Sequence, residues 1–384
     1  TGNANVAVGM RALLSNTTAS FNVAVGTNSL YANTTGADNT AVGYNSLALN
    51  TTGDADVAVG TGSLEANTTG TNNTAVGFQS LRVNTTGNNN TAMGQGALLA
   101  NTTAGSNTAV GREALKSATT GAQNTAMGQG SLIANTTGLR NVAIGQAATG
   151  SCTTGYDNVS VGQASLYYNT TGHNNVAVGR NALFNNISGR YNTAVGKGAG
   201  TTVTTGYENV FIGNGSDGTA TNTSEANAIG NSVAGASGYT TLGFSSSDIR
   251  SAHGNTSWAT VSDERYKKDI TTSTAGLSFV NELRPVTWNY KTLGELPTTF
   301  NAYEADSTKV FKNTQTNHGF IAQEVKSVID NHSEIKDGFR LWDDRDDGSQ
   351  EVAEAALIPV LVKAIQELST QNAALAARIT TLEG

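Results

Sequence analysis

Small and apolar residues recur every 17 positions along the first two thirds of the chain. Each copy of this pattern contains a short segment, typically Ala-Val-Gly, that ends in glycine. The fourteen glycines in phase are Gly9, Gly26, Gly43, Gly60, Gly77, Gly94, Gly111, Gly128, Gly145, Gly162, Gly179, Gly196, Gly213 and Gly230. A last, shortened copy ends at Gly243. Because no insertion or deletion interrupts the period, the pattern predicts a stack of equivalent coils whose neighbours bury each other's apolar side.

The consensus of one copy, N-[TV]-A-[VMI]-G-x-x-[SA]-L-x-x-N-T-T-G-x-x, predicts the path of a coil. Residues 39–43 alternate as a strand does, Leu47 adds a second apolar position, and Asn-Thr-Thr-Gly at 50–53 is a turn signal. We therefore expect about two short strands and two turns per coil, with Val, Leu and Ala stacked inward and Asn and Thr in ladders. At ~4.8 Å per coil, residues 1–243 would form a parallel β-solenoid on the order of 65 Å long.

The composition changes after residue 258. Charged residues make up only 13% of the chain, against about 25% in an ordinary globular protein. Residues 1–258 contain 9 Lys and Arg and 10 Asp and Glu, and all three prolines follow them. We expect a mainly β chain with four regions. These are the β-solenoid at 1–243, a neck at 244–258, a mixed α/β domain at 259–360 and a helix at 361–384.

The C-terminal helix carries a heptad pattern. Its core positions, in steps of 4 and 3, are Leu361, Ile365, Leu368, Asn372, Leu375, Ile379 and Leu382. This spacing predicts a coiled coil with the isoleucines and Asn372 at a positions and the leucines at d positions. In isolation such a pattern favours a dimer, and a buried Asn372 would fix the register at some cost in stability.

Charge and cysteine content argue against several classes of function. The net charge of −7 gives no basic surface for nucleic acid. Cys152 is the single cysteine, so the sequence indicates neither a disulfide framework nor a metal site, and no cofactor is expected. No run of 18 apolar residues is present, so we expect no membrane insertion. Because the chain begins with Thr1 rather than Met, we expect an N-terminal attachment region before it.

Several features of the array admit a second interpretation. The N-T-T triplets match the glycosylation sequon, although a turn imposed by the repeat explains them equally. Asp54 and Asp56 could contact calcium, but no other copy repeats them. The aromatic residues of the last coils indicate either a broader core or a carbohydrate-stacking surface. They are Tyr156, Tyr167, Tyr168, His173, Phe184, Tyr191, Tyr207 and Phe211.

Ser262 stands at the junction between the two parts of the chain. By itself, the segment is typical of a helix N-cap, with Asp263 and Glu264 in the first helical turn. The alternative is a Ser–Lys pair with Lys267, because a serine hydroxyl becomes nucleophilic when a base removes its proton. The lysine must then be neutral, which burial or the positive charge of Arg265 would favour.

The array resembles the head repeats of trimeric autotransporter adhesins. Their N-x-V-A-I-G-x-x-[SA] coils form trimeric left-handed parallel β-rolls, and the resemblance covers roughly residues 1–243. It implies a homotrimer with a shared apolar seam. Those coils are typically shorter and lack the N-T-T-G segment, so we expect this segment to form an outward loop or edge.

The region from residue 259 resembles the C-terminal intramolecular chaperone of phage tail spikes and tail fibres, which begins S-D-x-R-x-K-x-x-I. Four ordered motifs carry the resemblance: SDERYKKDI at 262–270, LRPVTW at 283–288, HGFIAQEV at 318–325 and LIPVLVKAIQEL at 357–368. The resemblance implies a domain that trimerises the chains and then cuts itself off between Val261 and Ser262. Ser262 would be the nucleophile and Lys267 its base, with Asp263 and Arg265 in structural roles.

These features together predict the distal part of a phage tail fibre, on the extracellular surface of the virion. Its homotrimer would bind a host receptor, either a glycan or an outer-membrane component. The trimer implied by both resemblances overrides the dimer preference of the heptads. The alternatives are a bacterial surface adhesin or extracellular filament on the cell surface, and a solenoid whose threonine ladders bind ice. The only catalysis expected is single-turnover self-cleavage by the Ser–Lys dyad.

Overall fold

A computed structural model describes residues 2–255, 258–259, 262, 264–332, 335, 341–344 and 349–383. The chain divides into two compact units, Thr1–Ser262 and Asp263–Gly384. The first unit is a parallel β-solenoid of about fourteen 17-residue coils, which confirms the predicted fold class. Its strands are β1 (Val6–Val8), β2 (Val23–Val25), β3 (Thr40–Val42), β4 (Val57–Val59), β5 (Thr74–Val76), β6 (Thr91–Met93), β7 (Thr108–Val110), β8 (Thr125–Met127), β9 (Val142–Ile144), β10 (Val159–Val161), β11 (Val176–Val178), β12 (Thr193–Val195), β13 (Val210–Ile212), β14 (Asp217–Gly218), β15 (Asn227–Asn231), β16 (Ala234–Gly235), β17 (Tyr239–Phe244) and β18 (Ser247–Ala252).

Each regular coil contributes one three-residue strand rather than the two expected. Strands of successive coils pair in parallel with a shift of 17 residues, so that Ala24 lies opposite Ala41. From the second coil on, the central residue, usually alanine, is fully buried, whereas the residues on either side, mostly Val or Thr, are half-buried or exposed on the outer face. The expectation that valine stacks inward is therefore wrong, because alternate strand residues point to opposite faces and only the middle one faces the interior.

The leucine of each coil supplies the second buried column. Leu47 and Leu81 are fully buried, yet their backbone lies in the left-handed region, with φ of 48° and 49°. This conformation costs about 1–2 kcal/mol for a residue with a Cβ, while burying a leucine side chain stabilises the fold by about 1.5–3 kcal/mol. Burial therefore offsets the strain. The Leu47 N–H also donates to Ser63 O of the next coil at 3.0 Å.

Two asparagine ladders run through the interior beside the apolar columns. Asn50 Nδ2 donates to Asn33 Oδ1 at 3.0 Å and to Gly53 O at 2.9 Å. In the second ladder, Asn39 Oδ1 accepts the Asp56 N–H at 2.9 Å. The N-T-T-G segment thus turns its asparagine inward instead of forming an outward loop, because the amide satisfies backbone groups of the turn. A fully buried amide such as that of Asn50 leaves no room for a glycan on the folded coil.

The glycine at the end of each strand is required by the close approach of successive coils. Gly94 has a φ of 129°, and a Cβ at this position would lie 2.7 Å from the backbone carbonyl of Gly111. Residues with a Cβ rarely adopt this φ, and the next coil leaves no space for the added atom. This double constraint explains why glycine occupies the position in all fourteen copies.

The last coils have a different interior from the regular coils. Phe211 replaces the usual alanine at the centre of β13 and is fully buried. Gly200, in the leucine column of the neighbouring coil, makes room for the ring, since a Cβ there would lie 2.8 Å from Phe211 Cδ2. The shortened copy is present, because β15 pairs with β17 over a shift of 13 residues. Antiparallel β18 follows, within the region 244–258 predicted as a neck.

The second unit contains short helices and strands and ends in a long helix. Its elements are α1 (Leu277–Glu282), β19 (Val286–Trp288), β20 (Asn317–Gly319), α2 (Ala322–Asn331), β21 (Trp342–Asp344), β22 (Gln350–Val352) and α3 (Leu357–Glu383). The core contains Ala275, Phe279, Val325, Ile329, Leu341, Leu357 and Val360. Helix α3 begins four residues before the predicted start at 361, because Pro359 lies in the first turn, where a backbone N–H needs no helical partner.

Candidate functional site

The predicted nucleophile and base lie on either side of a single turn. Ser262 is exposed and precedes a 3-10 turn at Glu264–Tyr266 rather than the α-helix that an N-cap would begin. The Lys267 N–H donates to Glu264 O at 2.9 Å and closes this turn, and the Lys267 side chain is exposed. The part of the chain that the structure describes therefore buries neither member of the predicted dyad.

Of the two supporting residues of the first motif, the structure describes only Arg265. Arg265 lies within the same turn and is exposed. Val261, which contributes the carbonyl of the predicted cleavage bond, and Asp263 both lie outside the described residues. The Ser–Lys dyad and its cleavage bond thus stay predictions.

The second and third motifs pair with each other. Thr287 in β19 lies opposite His318 in β20. Arg284 Nε donates to Glu324 Oε2 at 3.0 Å, and its Nη2 donates to the other carboxylate oxygen. The hydrogen bond from Arg284 holds the pKa of Glu324 below its usual value. Because both side chains are largely exposed, the pair adds little stability, but its two-point geometry fixes how the two segments meet.

Gly319 lets the second and third motifs approach closely. A Cβ at this position would lie 2.6 Å from Glu354 Oε1 and 3.0 Å from Trp288 Cη2, so the Trp288 ring packs against the backbone of β20. His318 is exposed, while its neighbours Asn317 and Gly319 are half-buried. With Glu354 and residues of β19, His318 lines an open cleft of roughly 500 Å³.

The fourth motif holds helix α1 through a carboxylate. Glu367 Oε2 accepts the Leu277 N–H at the start of α1 at 2.9 Å, and Lys363 Nζ lies 3.5 Å from Glu367 Oε1. A carboxylate at a helix N-terminus binds N–H groups that have no partner within the helix. Val360 and Ala364 on α3 are buried. One face of α3 is therefore fixed on its own unit.

The predicted heptad residues lie along a different face of α3. All seven are exposed, and Ile365 and Leu382 expose 66% and 84% of their surface. A row of exposed leucine and isoleucine side chains over a helix of this length is an interaction surface rather than an ordinary solvated face.

A buried carboxylate interrupts the second asparagine ladder. Asp56 is fully buried and accepts hydrogen bonds from the Asn73 N–H at 2.8 Å, from Asn73 Nδ2 at 3.1 Å and from Asn67 Nδ2 at 3.0 Å. Burial raises the pKa of Asp56 from 3.8 to about 7, although the hydrogen bonds from Asn73 act in the opposite direction. Asp54 is exposed, and its Oδ1 accepts the Ala37 N–H at 2.7 Å. Across the described ranges, no group of three or more His, Cys, Asp or Glu is placed to hold a metal ion.

The contacts of the last three motifs join distant parts of the unit Asp263–Gly384. Residues 262–334 match the family model Peptidase_S74, Chaperone of endosialidase. Together with the β-solenoid, the chaperone-of-endosialidase domain supports a protein like a tail fibre or tail spike, with a C-terminal chaperone role. No curated protein and no solved structure matches the chain. Within the described part of the chain, no helix combines the length and hydropathy of a membrane span.

Three contact residues of the chaperone unit were missed by sequence reasoning. Arg284 and Glu324 lie inside the quoted motifs, and Glu367 lies in the fourth. The available signal was their charge, because each is an ionisable residue in a motif that also contains several apolar residues. Their partners are 40 and 90 residues away in the chain, so the motifs alone do not indicate the pairing.

Proposed function

We propose that the chain is the distal part of a phage tail fibre that binds a receptor on the host surface. The chaperone match at residues 262–334 carries this proposal. Fourteen coils of nearly identical sequence can pair in many wrong registers, because each coil fits any other equally well. A C-terminal unit that aligns the chains first would remove these alternatives, and this need is greatest in a long repetitive fibre.

The outer face of the strand column supports assembly as a homotrimer. At least one apolar residue per coil lies on this face, and several of these residues expose between 36 and 44% of their surface. They include Val59, Met93, Met127, Ile144, Val195, Ile212 and Ile229. An apolar column of this length on a single chain is an unpartnered face. Two further copies of the chain fit it, because their identical period lets the contact repeat at every coil.

Helix α3 supplies the second assembly surface. Its exposed heptad face would pack against the same face of two other chains as a parallel coiled coil. Asn372 would lie among apolar neighbours in that seam and disfavour any axial shift that places it opposite Ile365 or Ile379. Because α3 is also bound to its own unit through Glu367, alignment of the three helices would align the three chaperone units.

Self-cleavage would follow assembly. Neutral Lys267 would accept the Ser262 hydroxyl proton as Oγ attacks the Val261 carbonyl carbon. The Ser262 nitrogen would leave with a proton, giving an ester between Val261 and Ser262 Oγ. Water would then hydrolyse this ester to a Val261 carboxylate and restore the hydroxyl. Since Ser262 and Lys267 are exposed in the single chain, burial by neighbouring chains would couple the cut to assembly.

Adsorption to bacteria tests the receptor-binding role. Fluorescently labelled full-length protein should bind susceptible strains of a bacterial panel saturably, and an excess of unlabelled protein should displace it. Binding that an excess of unlabelled protein leaves unchanged would exclude a specific receptor.

The adhesin-like coils favour one second candidate, a bacterial surface adhesin or extracellular filament. An antibody against the chain separates the two by immunogold electron microscopy. A phage fibre places gold on virion tails, whereas an adhesin places it on the cell envelope.

A further inference from the structure

Exposed and half-buried aromatic side chains cluster in the coils that span residues 156–207. Several of them occupy the position directly after the N-T-T-G turn, which in earlier coils is held by Ser20, Ala37, Asp54, Thr71, Asn88, Gly105, Ala122 and Leu139. Four successive coils instead carry Tyr156, His173, Arg190 and Tyr207, here called the aromatic ladder. Tyr191, the residue after Arg190, lies beside the ladder and exposes 50% of its surface.

The ladder consists of two stacked pairs that follow each other along the direction of coil repetition. The rings of Tyr156 and His173 lie parallel, with centroids 4.6 Å apart and an interplanar angle of 6°. The Arg190 guanidinium carbon lies 5.1 Å from the centre of the Tyr207 ring. Tyr191 stands at 89° to His173 with centroids 5.6 Å apart. The ladder therefore presents ring edges and polar tips, while Tyr191 adds a ring at right angles to them.

The fold does not require these rings. Earlier coils follow the same backbone path with Ala, Thr or Asn at the ladder position. Tyr191 has a φ of 57°, in a column where other coils place Phe21, Asp38, Asn72 and Asn89 at φ of 58–62°. Asparagine and aspartate tolerate this left-handed backbone better than a bulky aromatic residue does. An exposed ring at this strained position, beside stacked ladder side chains that the earlier coils lack, points to a ligand rather than to packing.

We propose that the aromatic ladder and Tyr191 form a binding site for an extended glycan of the bacterial envelope. This inference rests on the proposed receptor-binding function and names the class of receptor. The C–H face of a pyranose ring would pack on Tyr191, and its hydroxyl groups would bond to the polar tips of Tyr156, His173 and Arg190. An extended sugar chain can contact successive coils, because the ladder offers one side chain per coil.

The charges around the ladder suit an uncharged or acidic sugar chain. Arg140 is already neutralised by Asp157, through contacts of 2.6 and 2.9 Å. Arg190 has no carboxylate at ion-pair distance among the residues that the structure describes, so its guanidinium can donate to hydroxyl or carboxylate groups of a ligand.

The repeat itself supplies variants that preserve the fold. A triple variant, Tyr156→Thr, His173→Asn and Tyr191→Asn, introduces side chains that the copies around residues 71 and 88 already carry at these positions. The matched control is Tyr44→Thr, which removes another exposed aromatic ring where other copies carry threonine. Circular dichroism and melting temperature should match the wild type for both proteins.

Binding is measured on an array of bacterial lipopolysaccharides and capsular polysaccharides, and on cells before and after periodate oxidation of their glycans. The triple variant should bind the glycan recognised by the wild type at least about tenfold more weakly, since three ring contacts are lost. Tyr44→Thr should bind like the wild type, and periodate should abolish binding to cells.

The other outcomes test the aromatic ladder and the receptor-binding function separately. If the triple variant binds glycan and cells with the affinity of the wild type, the aromatic ladder is not the binding site, and the receptor-binding function still stands. Loss of cell binding in the triple variant, with no effect of periodate, shows a protein receptor and overturns the glycan. If the wild type binds no cells, the receptor function fails. The glycan array then tests the aromatic ladder by itself. A wild type that binds no glycan on it overturns the proposed site.

Discussion

Replacing the buried carboxyl of Asp56 by an amide should stabilise the array above pH 7. In the same ladder, Asn39 Nδ2 donates to Gly53 O of the following coil at 2.8 Å. A carboxylate has no hydrogen to donate, so the equivalent carbonyl, Gly70 O, keeps only the bond from Asn67 at 3.0 Å. Asp56→Asn should supply the second donor.

The size and pH dependence of the gain follow from the raised pKa of Asp56. Well below pH 3.8 the carboxyl is protonated in both the folded and the unfolded chain, so it has no electrostatic effect on stability. As pH rises from 3.8 to about 7, the unfolded chain ionises first and the folded state loses stability. Above pH 7 both states are ionised and the loss is complete. A difference of about three pKa units at ~1.4 kcal/mol each gives about 4 kcal/mol per chain.

Urea unfolding of the full chain, followed by far-ultraviolet circular dichroism at pH 4 and pH 8, measures this effect. Asp56→Asn should raise the free energy of unfolding by about 4 kcal/mol at pH 8 and by about 1 kcal/mol or less at pH 4. Asp54→Asn is the matched control, because it removes an exposed carboxylate and should change stability by about 0.5 kcal/mol or less. Equal gains at both pH values, or destabilisation at pH 8, would refute the assignment of a costly buried carboxylate.

Three further changes test the coil and the processing site. Gly94→Ala should destabilise the array by about 4 kcal/mol or more, because the new Cβ meets the next coil. Gly96→Ala, which has open space around it, should cost about 1 kcal/mol. Equal urea midpoints for the two variants would contradict this. Phe211→Ala should cost about 3–5 kcal/mol, and adding Gly200→Leu should recover most of it by restoring the usual Ala–Leu pair. A double-mutant cycle without coupling would show that the two sites are independent. Ser262→Ala should give only the full-length band on a denaturing gel, whereas the wild type should give two fragments. If assembled wild-type trimers stay intact, the domain acts as a chaperone without self-cleavage.

The period of the array was sufficient to predict the solenoid, but not which side chains point inward. A fixed 17-residue repeat allows only a stack of equivalent coils, and the parallel pairing follows from it. The orientation of the side chains depends on left-handed residues between the strands, such as Asn45 and Leu47 at φ of 55° and 48°. Leucine gives no sequence signal for this conformation, because it is adopted only when burial offsets its strain.

The chaperone unit was located by its motif order, while its internal contacts were not predictable. Arg284 and Glu324 meet only after α2 packs near β19, and Glu367 reaches α1 from a helix 90 residues later. Such pairs depend on tertiary packing, which motif spacing does not encode. The predicted dyad shows the same limit, because in the proposed assembly the surroundings of Ser262 and Lys267 would be set by neighbouring chains.

The solution mass of the assembled protein tests the homotrimer most directly. The full-length chain should carry Ser262→Ala, so that the chaperone stays attached, and be measured by light scattering coupled to size-exclusion chromatography at micromolar concentration. A homotrimer predicts three times the 39.4 kDa mass of one chain. The mass of a single chain under these conditions would contradict the shared seam, the coiled coil and the assembly-dependent cut together.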